Sequence, residues 1–122
     1  MEAYPKILVV DDDPSARDLL ASTLRTIGYS AIQTAADEPS AEHALKRRLA
    51  RVVFLDIELS GASGFDVLRK LKIQAPDIDI IMVSAHSTAD NVKQAVRLGA
   101  KGFVVKPYTI GKLKDVMAQF DE

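Results

Sequence analysis

The sequence predicts an α/β fold in which five strands alternate with five helices, a (βα)5 arrangement. Short apolar runs, most of them β-branched and bounded by polar residues, glycine or proline, are typical of buried parallel strands. Between these runs, apolar residues recur at every third or fourth position, which is the spacing of an amphipathic helix. Right-handed crossovers then give a doubly wound sandwich, with helices on both faces of a five-stranded parallel sheet of order 2-1-3-4-5.

Each predicted strand is a short run, and a segment of helical period separates it from the next run. The runs cover residues 7–10, 31–32 with 34–36, 52–55, 80–83 and 103–105. Gln33 interrupts the second run, so we expect that strand to lie at an edge of the sheet.

The predicted helices follow the strands in order, and the first has the clearest boundaries. Asp13 suits its N-cap, Pro14 its first helical position and Gly28 its C-terminal end. Ser40 is expected to open the second helix, and Pro76 marks the end of the third. The apolar stripes expected to face the sheet are Ala16, Leu19, Leu20, Thr23, Leu24 and Ile27; Ala41, Ala44, Leu45 and Leu49; Phe65, Leu68 and Leu71; Val92, Ala95, Val96 and Gly99; and Ile110, Leu113, Val116, Met117 and Phe120.

Composition and charge restrict the class of protein. The 122 residues fit one domain, and a hydrophobic content of 48% is enough for a single core. A net charge of −1 favours neither nucleic acid nor a membrane as a direct partner. The absence of cysteine excludes disulfides and thiolate metal sites, and the N-terminus lacks the pattern of a signal peptide. We therefore expect a cytoplasmic protein with one domain over residues 1–122.

Charged residues end three of the apolar runs. Asp11 and Asp12 follow the first run, Asp56 follows the third, and Lys106 follows the fifth. The carboxyl ends of parallel strands lie at one edge of an open sheet, where ligands bind, and strands 1 and 3 are neighbours in the predicted order. Three carboxylates gathered there would repel one another unless a cation lay among them. The pattern therefore indicates a hard divalent metal beside a reactive aspartate.

With these residues at its strand ends, the chain resembles, over essentially its whole length, the receiver domain of bacterial response regulators, which has a flavodoxin-like sandwich fold. The resemblance is carried by pieces in the right order and spacing, and the segment 98–107 is particularly close to the family pattern. The pieces are the acidic pair Asp11-Asp12, the strand-end Asp56, the pair Ser84-Ala85 and the pair Lys106-Pro107.

The resemblance implies that Asp56 accepts a phosphoryl group from a histidine kinase. Mg²⁺ would be held by Asp11, Asp12 and Asp56, with the backbone carbonyl of Glu58 as a further ligand. Lys106 would supply the remaining positive charge beside the phosphoryl group. The domain is then not an enzyme that acts on other molecules, since it assists only its own phosphoryl transfer and autodephosphorylation.

The resemblance also implies a switch. The Ser84 hydroxyl would donate a hydrogen bond to a phosphoryl oxygen, and the ring of Phe103 would turn inward when Ser84 moves. Pro107 resembles the cis proline of the family. We further hypothesise that Glu58 and His86, each two residues beyond a strand-end site residue, tune the lifetime of the phosphoryl group.

The expected partners follow from the same resemblance. They are a sensor histidine kinase or histidine phosphotransferase, meeting the first helix near Ser15, Arg17 and Asp18, and a downstream effector domain or protein. Output would use the fourth helix, the fifth strand and the fifth helix, and a phosphorylation-dependent homodimer is a further candidate. The pattern is compatible with a stand-alone receiver and with the N-terminal part of a longer regulator.

Three other functions fit parts of the sequence. A degenerate receiver could act as an unphosphorylated docking module. A dehalogenase-like phosphatase would explain Asp56-Ile57-Glu58, but its second acid should be aspartate and the pair Asp11-Asp12 would be left without a role. A flavodoxin-like cofactor binder would need a hydroxyl- and glycine-rich phosphate loop after the first strand, where this chain has three consecutive aspartates.

Overall fold

The computed structural model describes residues 5–59, 61–86 and 88–120. Within them, five parallel strands form the main sheet in the order β2-β1-β3-β6-β7, and two further strands form a small antiparallel pair, β4-β5. The strands are β1 (Ile7–Val10), β2 (Ile32–Ala35), β3 (Val52–Asp56), β4 (Glu58–Leu59), β5 (Ala62–Ser63), β6 (Asp79–Ser84) and β7 (Gly102–Val105). Because β4 and β5 lie outside the main sheet, this order confirms the predicted order 2-1-3-4-5, with β2 at one edge.

Helices cover both faces of the sheet, as predicted. They are α1 (Pro14–Ile27), α2 (Glu38–Lys46), α3 (Gly64–Gln74), α4 (Ala89–Arg97) and α5 (Ile110–Ala118). Buried side chains of α1 and α5 pack with one set of alternate strand residues, and those of α2, α3 and α4 pack with the other set. No helix in the described residues is long and apolar enough to cross a membrane.

The strand registers bring the site residues together. Val10 of β1 lies opposite Leu55 of β3, so the residues that follow them, Asp11 and Asp56, end neighbouring strands at the same level. Asp56 is itself the last residue of β3 and pairs with Val83 of β6. The register of the sheet alone therefore places the carboxylates of Asp11 and Asp56 close together, and no long loop is needed.

The helix boundaries confirm some of the predictions and correct others. At α1, the Asp13 side chain accepts a hydrogen bond from the Ser15 amide, and Gly28 ends the helix with a φ of +129°. At α2, the N-cap is Asp37 rather than Ser40, and Asp37 accepts from the Ser40 amide instead. Leu49, predicted on the stripe of this helix, lies beyond its end at Lys46.

Four residues predicted on buried stripes are exposed. They are Gly99 and three large apolar residues, Leu19 (60% exposed), Val96 (63%) and Ile110 (48%). In α1, the buried side chains are Leu20, Ala21 and Leu24, so the helix turns a narrower face to the sheet than the stripe suggested. The sequence overestimated burial because a stripe more than about 100° wide includes positions at its margins that face water.

Helix α4 has the least buried face of the five helices. Ala95 is the only buried residue among its nine, whereas α3 buries Gly64, Val67, Leu68 and Leu71. Its N-terminus is capped by the Thr88 hydroxyl, which accepts a hydrogen bond from the Asn91 amide at 3.1 Å. Polar contacts at the first turn are therefore more important for holding α4 in place than they are for α3.

Candidate functional site

A lysine joins two carboxylates at the carboxyl edge of the sheet. Lys106 directly follows β7, and its Nζ donates to Asp56 Oδ2 at 3.1 Å and to Asp11 Oδ2 at 3.2 Å. The other carboxylate oxygens accept backbone hydrogen bonds at 2.9 Å: Asp56 Oδ1 from the Glu58 amide, and Asp11 Oδ1 from the Asp13 amide. The predicted site residues Asp11, Asp56 and Lys106 are thus brought together and held in one orientation.

Burial and charge set the protonation of these groups. Burial raises the pKa of Asp11, and repulsion from Asp56 adds to this, while the Asp13 amide and Lys106 act in the opposite direction. For Lys106, burial disfavours the charged form, but the hydrogen bond and charge of Asp56, with those of Asp11, outweigh burial and raise its pKa. Lys106 therefore stays cationic at neutral pH and is the fixed positive charge of the site.

The three acids also satisfy the geometry of a metal site. Carboxylate oxygens of Asp11, Asp12 and Asp56 lie within 4.8 Å of one another, with Asp11 and Asp56 buried and Asp12 half-buried. Hard oxygen ligands of this kind suit Mg²⁺, which keeps several of its waters and needs only one or two carboxylates. The donor set therefore fits the metal that the sequence predicted.

Arg17 adds a contact that sequence reasoning did not assign to the site. Its Nη1 donates to the backbone carbonyl of Asp11 at 2.9 Å. The sequence placed Arg17 on the surface that meets a kinase, because only its position on the first helix was evident. Arg17 lies six residues after Asp11 in the sequence, and its hydrogen bond holds the segment that carries Asp11 and Asp12.

Ser84 and Phe103 lie on the side of the sheet that faces α4. Ser84 is the buried last residue of β6, and its Oγ accepts a hydrogen bond from the His86 amide at 2.9 Å and donates to the His86 carbonyl at 3.4 Å. Phe103 is half-buried against the core on the α2–α4 face. The bond between Lys106 and Pro107 is cis, which confirms the expectation from the resemblance.

Glu58 and His86 form a pair that the sequence did not predict as a contact. Glu58 Oε1 lies 3.0 Å from His86 Nε2, and the two side chains are 62% and 66% exposed. The pair joins the segments that follow β3 and β6, next to Asp56 and Ser84. Sequence reasoning singled out each residue by its offset from a strand end, but the distance between them depends on the spacing of β3 and β6 in the sheet.

A largely apolar cavity opens beside the site, between α1 and the segment that follows β7. Its volume is about 330 Å³. Tyr108 is part of this wall, and burial raises its pKa, so the phenol stays neutral. The lining residues are Asp11, Ala16, Leu19, Leu20, Ala85, Lys106, Pro107 and Tyr108.

Comparisons with known proteins agree with this geometry. The family model described as "Response regulator receiver domain" matches residues 7–118. The chain is 35% identical over 113 residues to the alginate biosynthesis transcriptional regulatory protein AlgB of Pseudomonas aeruginosa, which covers 93% of this chain and 25% of that protein. Curated AlgB relatives are therefore about four times as long as the chain.

Solved structures give the same answer. The receiver domain of NtrX from Brucella abortus superposes with a TM-score of 0.86 at 38% identity, covering 93% of this chain and 96% of that one. The CheX-CheY-BeF3-Mg+2 complex from Borrelia burgdorferi superposes with a TM-score of 0.86 at 31% identity, covering 96% and 90%. With the family match over residues 7–118, these findings show that the chain belongs to the response regulator receiver domain family, the phosphorylatable receivers of two-component signalling.

Proposed function

We propose that Asp56 is the phosphoacceptor of this receiver. The observation that carries the proposal is the contact of Lys106 Nζ with Asp56 Oδ2 and Asp11 Oδ2, at the edge where three carboxylates converge. A lone strand-end aspartate would need none of these neighbours. A docking module that is never phosphorylated would gain nothing from a half-buried lysine between two acids, so the docking alternative is disfavoured.

The proposed reaction transfers a phosphoryl group from a histidine of the donor protein. A carboxylate oxygen of Asp56 bonds to phosphorus while the phosphorus–nitrogen bond breaks, and its electron pair stays on the imidazole nitrogen. Lys106 donates hydrogen bonds to the incoming phosphoryl oxygens, and the Glu58 amide holds the second Asp56 oxygen in place. Because the transition state is loose, positioning and charge compensation supply most of the acceleration.

Mg²⁺ is the proposed cofactor. Asp11, Asp12 and Asp56 would hold it, with the Glu58 carbonyl as a further ligand that the family resemblance suggests. When bound, the metal neutralises charge between the carboxylate and the phosphoryl oxygens. The similar CheX-CheY complex from Borrelia burgdorferi contains both BeF3 and Mg²⁺, and this supports the proposal for a related site.

The proposed response begins at Ser84. Its hydroxyl would leave the His86 carbonyl, to which it donates over a long 3.4 Å, and would donate to a phosphoryl oxygen instead. Phe103 is half-buried and is the proposed aromatic partner of that movement. The surface formed by α4, β7 and α5 would then change, and it carries exposed Val96, Val105 and Ile110, which suit an effector or a second copy of the chain.

The proposed phosphodonor is a sensor histidine kinase or a histidine phosphotransferase. The cavity beside Lys106 is apolar, and Leu19 of α1 lines it while remaining 60% exposed. An apolar side chain of a donor helix that entered it would place the donor histidine near Asp56. We propose a cytoplasmic location, no catalysis on other molecules, and an effector that is either a further domain or a separate protein.

Intact mass measures the proposed function directly. The protein is incubated with Mg²⁺ and acetyl phosphate or phosphoramidate, and we expect one phosphoryl adduct that hydroxylamine removes. Asp56→Asn should abolish the adduct, whereas Asp66→Asn, a change in an exposed acid of α3, should leave it unchanged. If wild-type protein gave no adduct with any donor, the docking-module alternative would replace this proposal.

A further inference from the structure

Two side chains, those of Ser84 and Asn91, make three hydrogen bonds with the backbone of His86. Ser84 Oγ accepts from the His86 amide at 2.9 Å and donates to the His86 carbonyl at 3.4 Å. The same carbonyl accepts a hydrogen bond from Asn91 Nδ2 at 3.0 Å. The proposed switch hydroxyl and a side chain of α4 are therefore donors to one oxygen atom.

Asn91 belongs to the first turn of α4, the helix with the least buried face. Its own amide donates to the capping Thr88 hydroxyl, so its backbone is fixed to the helix start while its side chain reaches back over five residues to His86. Only Ala95 of α4 is buried in the core. With so little apolar packing, the position of α4 depends strongly on polar contacts of this kind.

We propose that Asn91 is a positioning residue that couples the movement of Ser84 to α4. This inference rests on the proposed function. When Ser84 turns to a phosphoryl oxygen, its contacts with the His86 backbone are lost and that backbone is free to shift. The side-chain amide of Asn91 keeps its hydrogen bond to the His86 carbonyl, so the first turn of α4 moves together with the His86 backbone.

The distances favour this division of roles. The Asn91 hydrogen bond is 3.0 Å long, well within the normal range, whereas the Ser84 contact at 3.4 Å is at its limit. A carbonyl oxygen has two lone pairs and accepts two donors, so the loss of Ser84 leaves the His86 carbonyl satisfied. Asn91 therefore lowers the cost of releasing Ser84 and at the same time keeps the mechanical connection to α4.

Asn91→Asp separates this role from simple support of the helix. Aspartate has the shape of asparagine but lacks the amide donor, so the hydrogen bond to the His86 carbonyl is lost. At the third residue of a helix a negative charge is favourable, because it interacts with the positive end of the helix dipole. This interaction opposes the stability lost with the hydrogen bond, so the melting temperature of the variant should stay close to that of wild type. A preserved melting temperature, measured alongside, means that a loss of response does not come from an unravelled α4.

The experiment measures hydrogen exchange of the α4 amides in residues 89–97, with Mg²⁺ alone and with Mg²⁺ plus beryllofluoride as a phosphoryl mimic. Wild-type protein should change its exchange in α4 when beryllofluoride is added. In Asn91→Asp we expect this change to fall by at least about half, since mutations along a coupling route alter it by that order. Lys93→Ala, a change in an exposed residue of the same helix, should keep the full response.

Adduct formation is measured alongside by intact mass with acetyl phosphate. Asn91→Asp should form the adduct as wild type does. A full α4 response in this variant would overturn the inference, and so would a wild-type protein that forms the adduct without any change in α4. Loss of the adduct in Asn91→Asp would assign Asn91 to acceptance and not to transmission, which also overturns it. Failure of wild-type protein to form any adduct would instead count against the proposed function itself.

Discussion

Two neighbouring regions of the molecule are built differently. One is the acceptor edge, which we define as Asp11, Asp56 and Lys106, where each carboxylate oxygen of the two aspartates accepts a hydrogen bond. The other is the readout region, defined as residues 84–86 with α4. There the Ser84 hydroxyl and the Asn91 side-chain amide hold the His86 backbone, and α4 buries only Ala95.

The difference separates chemistry from response. Groups that stabilise a transition state work best when they are held in place beforehand, and the ends of buried strands hold them so. A segment that reports a chemical event needs a second arrangement of similar free energy, which sparse packing allows. Changes at the acceptor edge should therefore alter the rate of phosphorylation, and changes in the readout region should alter its consequence.

Lys106→Met should produce the largest effect. The substitution keeps much of the length of the side chain but removes the only cation seen in contact with both aspartates in the described structure. We expect phosphorylation by acetyl phosphate to slow about 10²-fold, the usual cost of losing one preorganised donor. The rate is followed by intact mass under saturating Mg²⁺.

Lys112→Met is the matched control, because Lys112 is an exposed residue of α5 away from the acceptor edge. It should leave the rate unchanged. Equal rates in Lys106→Met and wild type would show that the acceptor edge does not depend on this charge, and the comparison between the two regions would lose its electrostatic basis.

Gly64→Ala tests how tightly position 64 packs against the backbone of Asp56 and Ile57. A Cβ at this position would lie 2.5 Å from the Asp56 carbonyl oxygen, far inside van der Waals contact. Since backbone atoms are in the way, we expect a loss of about 1–3 kcal/mol in the free energy of unfolding. Urea denaturation measures it.

A second glycine provides the control for that substitution. At Gly111 the nearest atom to an added Cβ is Thr109 Oγ1 at 3.8 Å, an ordinary contact. Because alanine favours a helix over glycine, Gly111→Ala should raise the free energy of unfolding by up to about 1 kcal/mol. A Gly64→Ala protein as stable as Gly111→Ala would mean that the turn after Asp56 yields easily.

Much of the fold and of the acceptor edge was predictable because strand periodicity and charged strand ends are local signals. Five apolar runs give five strands, and parallel pairing places their carboxyl ends together whatever the loops do. Asp11, Asp56 and Lys106 could therefore be assigned to one site before any distance was known. The N-cap of α1 was predictable for the same reason, since Asp13 and Pro14 act on their own turn.

The contacts that link neighbouring loops were not predictable in this way. Glu58 pairs with Ser63 in β4-β5, but these two-residue strands are too short to show the alternation of apolar residues that predicts a strand. The hydrogen bond from Asn91 to the His86 carbonyl and the pair formed by Glu58 and His86 depend on how β3, β6 and α4 sit against one another. The exposure of Leu19 likewise depends on the rotation of α1 about its axis, which a stripe alone does not determine.

Leu19→Arg should separate the protein donor from a small one. Leu19 lines the apolar cavity while most of its surface stays in water, so a charge there should obstruct an apolar donor side chain without reaching Asp56. We expect transfer from a cognate histidine phosphotransferase to fall about tenfold, the effect of losing about 1.4 kcal/mol of binding.

Acetyl phosphate should phosphorylate Leu19→Arg and wild type at the same rate, and Ile73→Arg, a change in an exposed residue of α3, should affect neither donor. A Leu19→Arg protein that accepts from the protein donor at the wild-type rate would place the docking surface elsewhere.

Glu58→Ala and His86→Ala should produce the smallest effect, because their exposed side chains connect the two regions without contributing to the buried packing of either. Either substitution breaks the 3.0 Å contact that joins the segments after β3 and β6. With that contact gone, water should reach the phosphoryl group on Asp56 more easily, so both variants should lose it faster than wild type, by less than about tenfold. Decay of the adduct after removal of the donor is measured by intact mass.

Glu58→Gln keeps a hydrogen-bond acceptor for His86 and should decay more slowly than Glu58→Ala. If the two alanine variants decay like wild type, the pair has no part in the lifetime of the phosphoryl group. If only one of them changes, that residue acts alone and the contact between the two is incidental. Equal acceleration of phosphoryl loss in both variants is the pattern expected of a shared contact. It would show that the pair formed by Glu58 and His86 connects the rigid acceptor edge to the movable readout region.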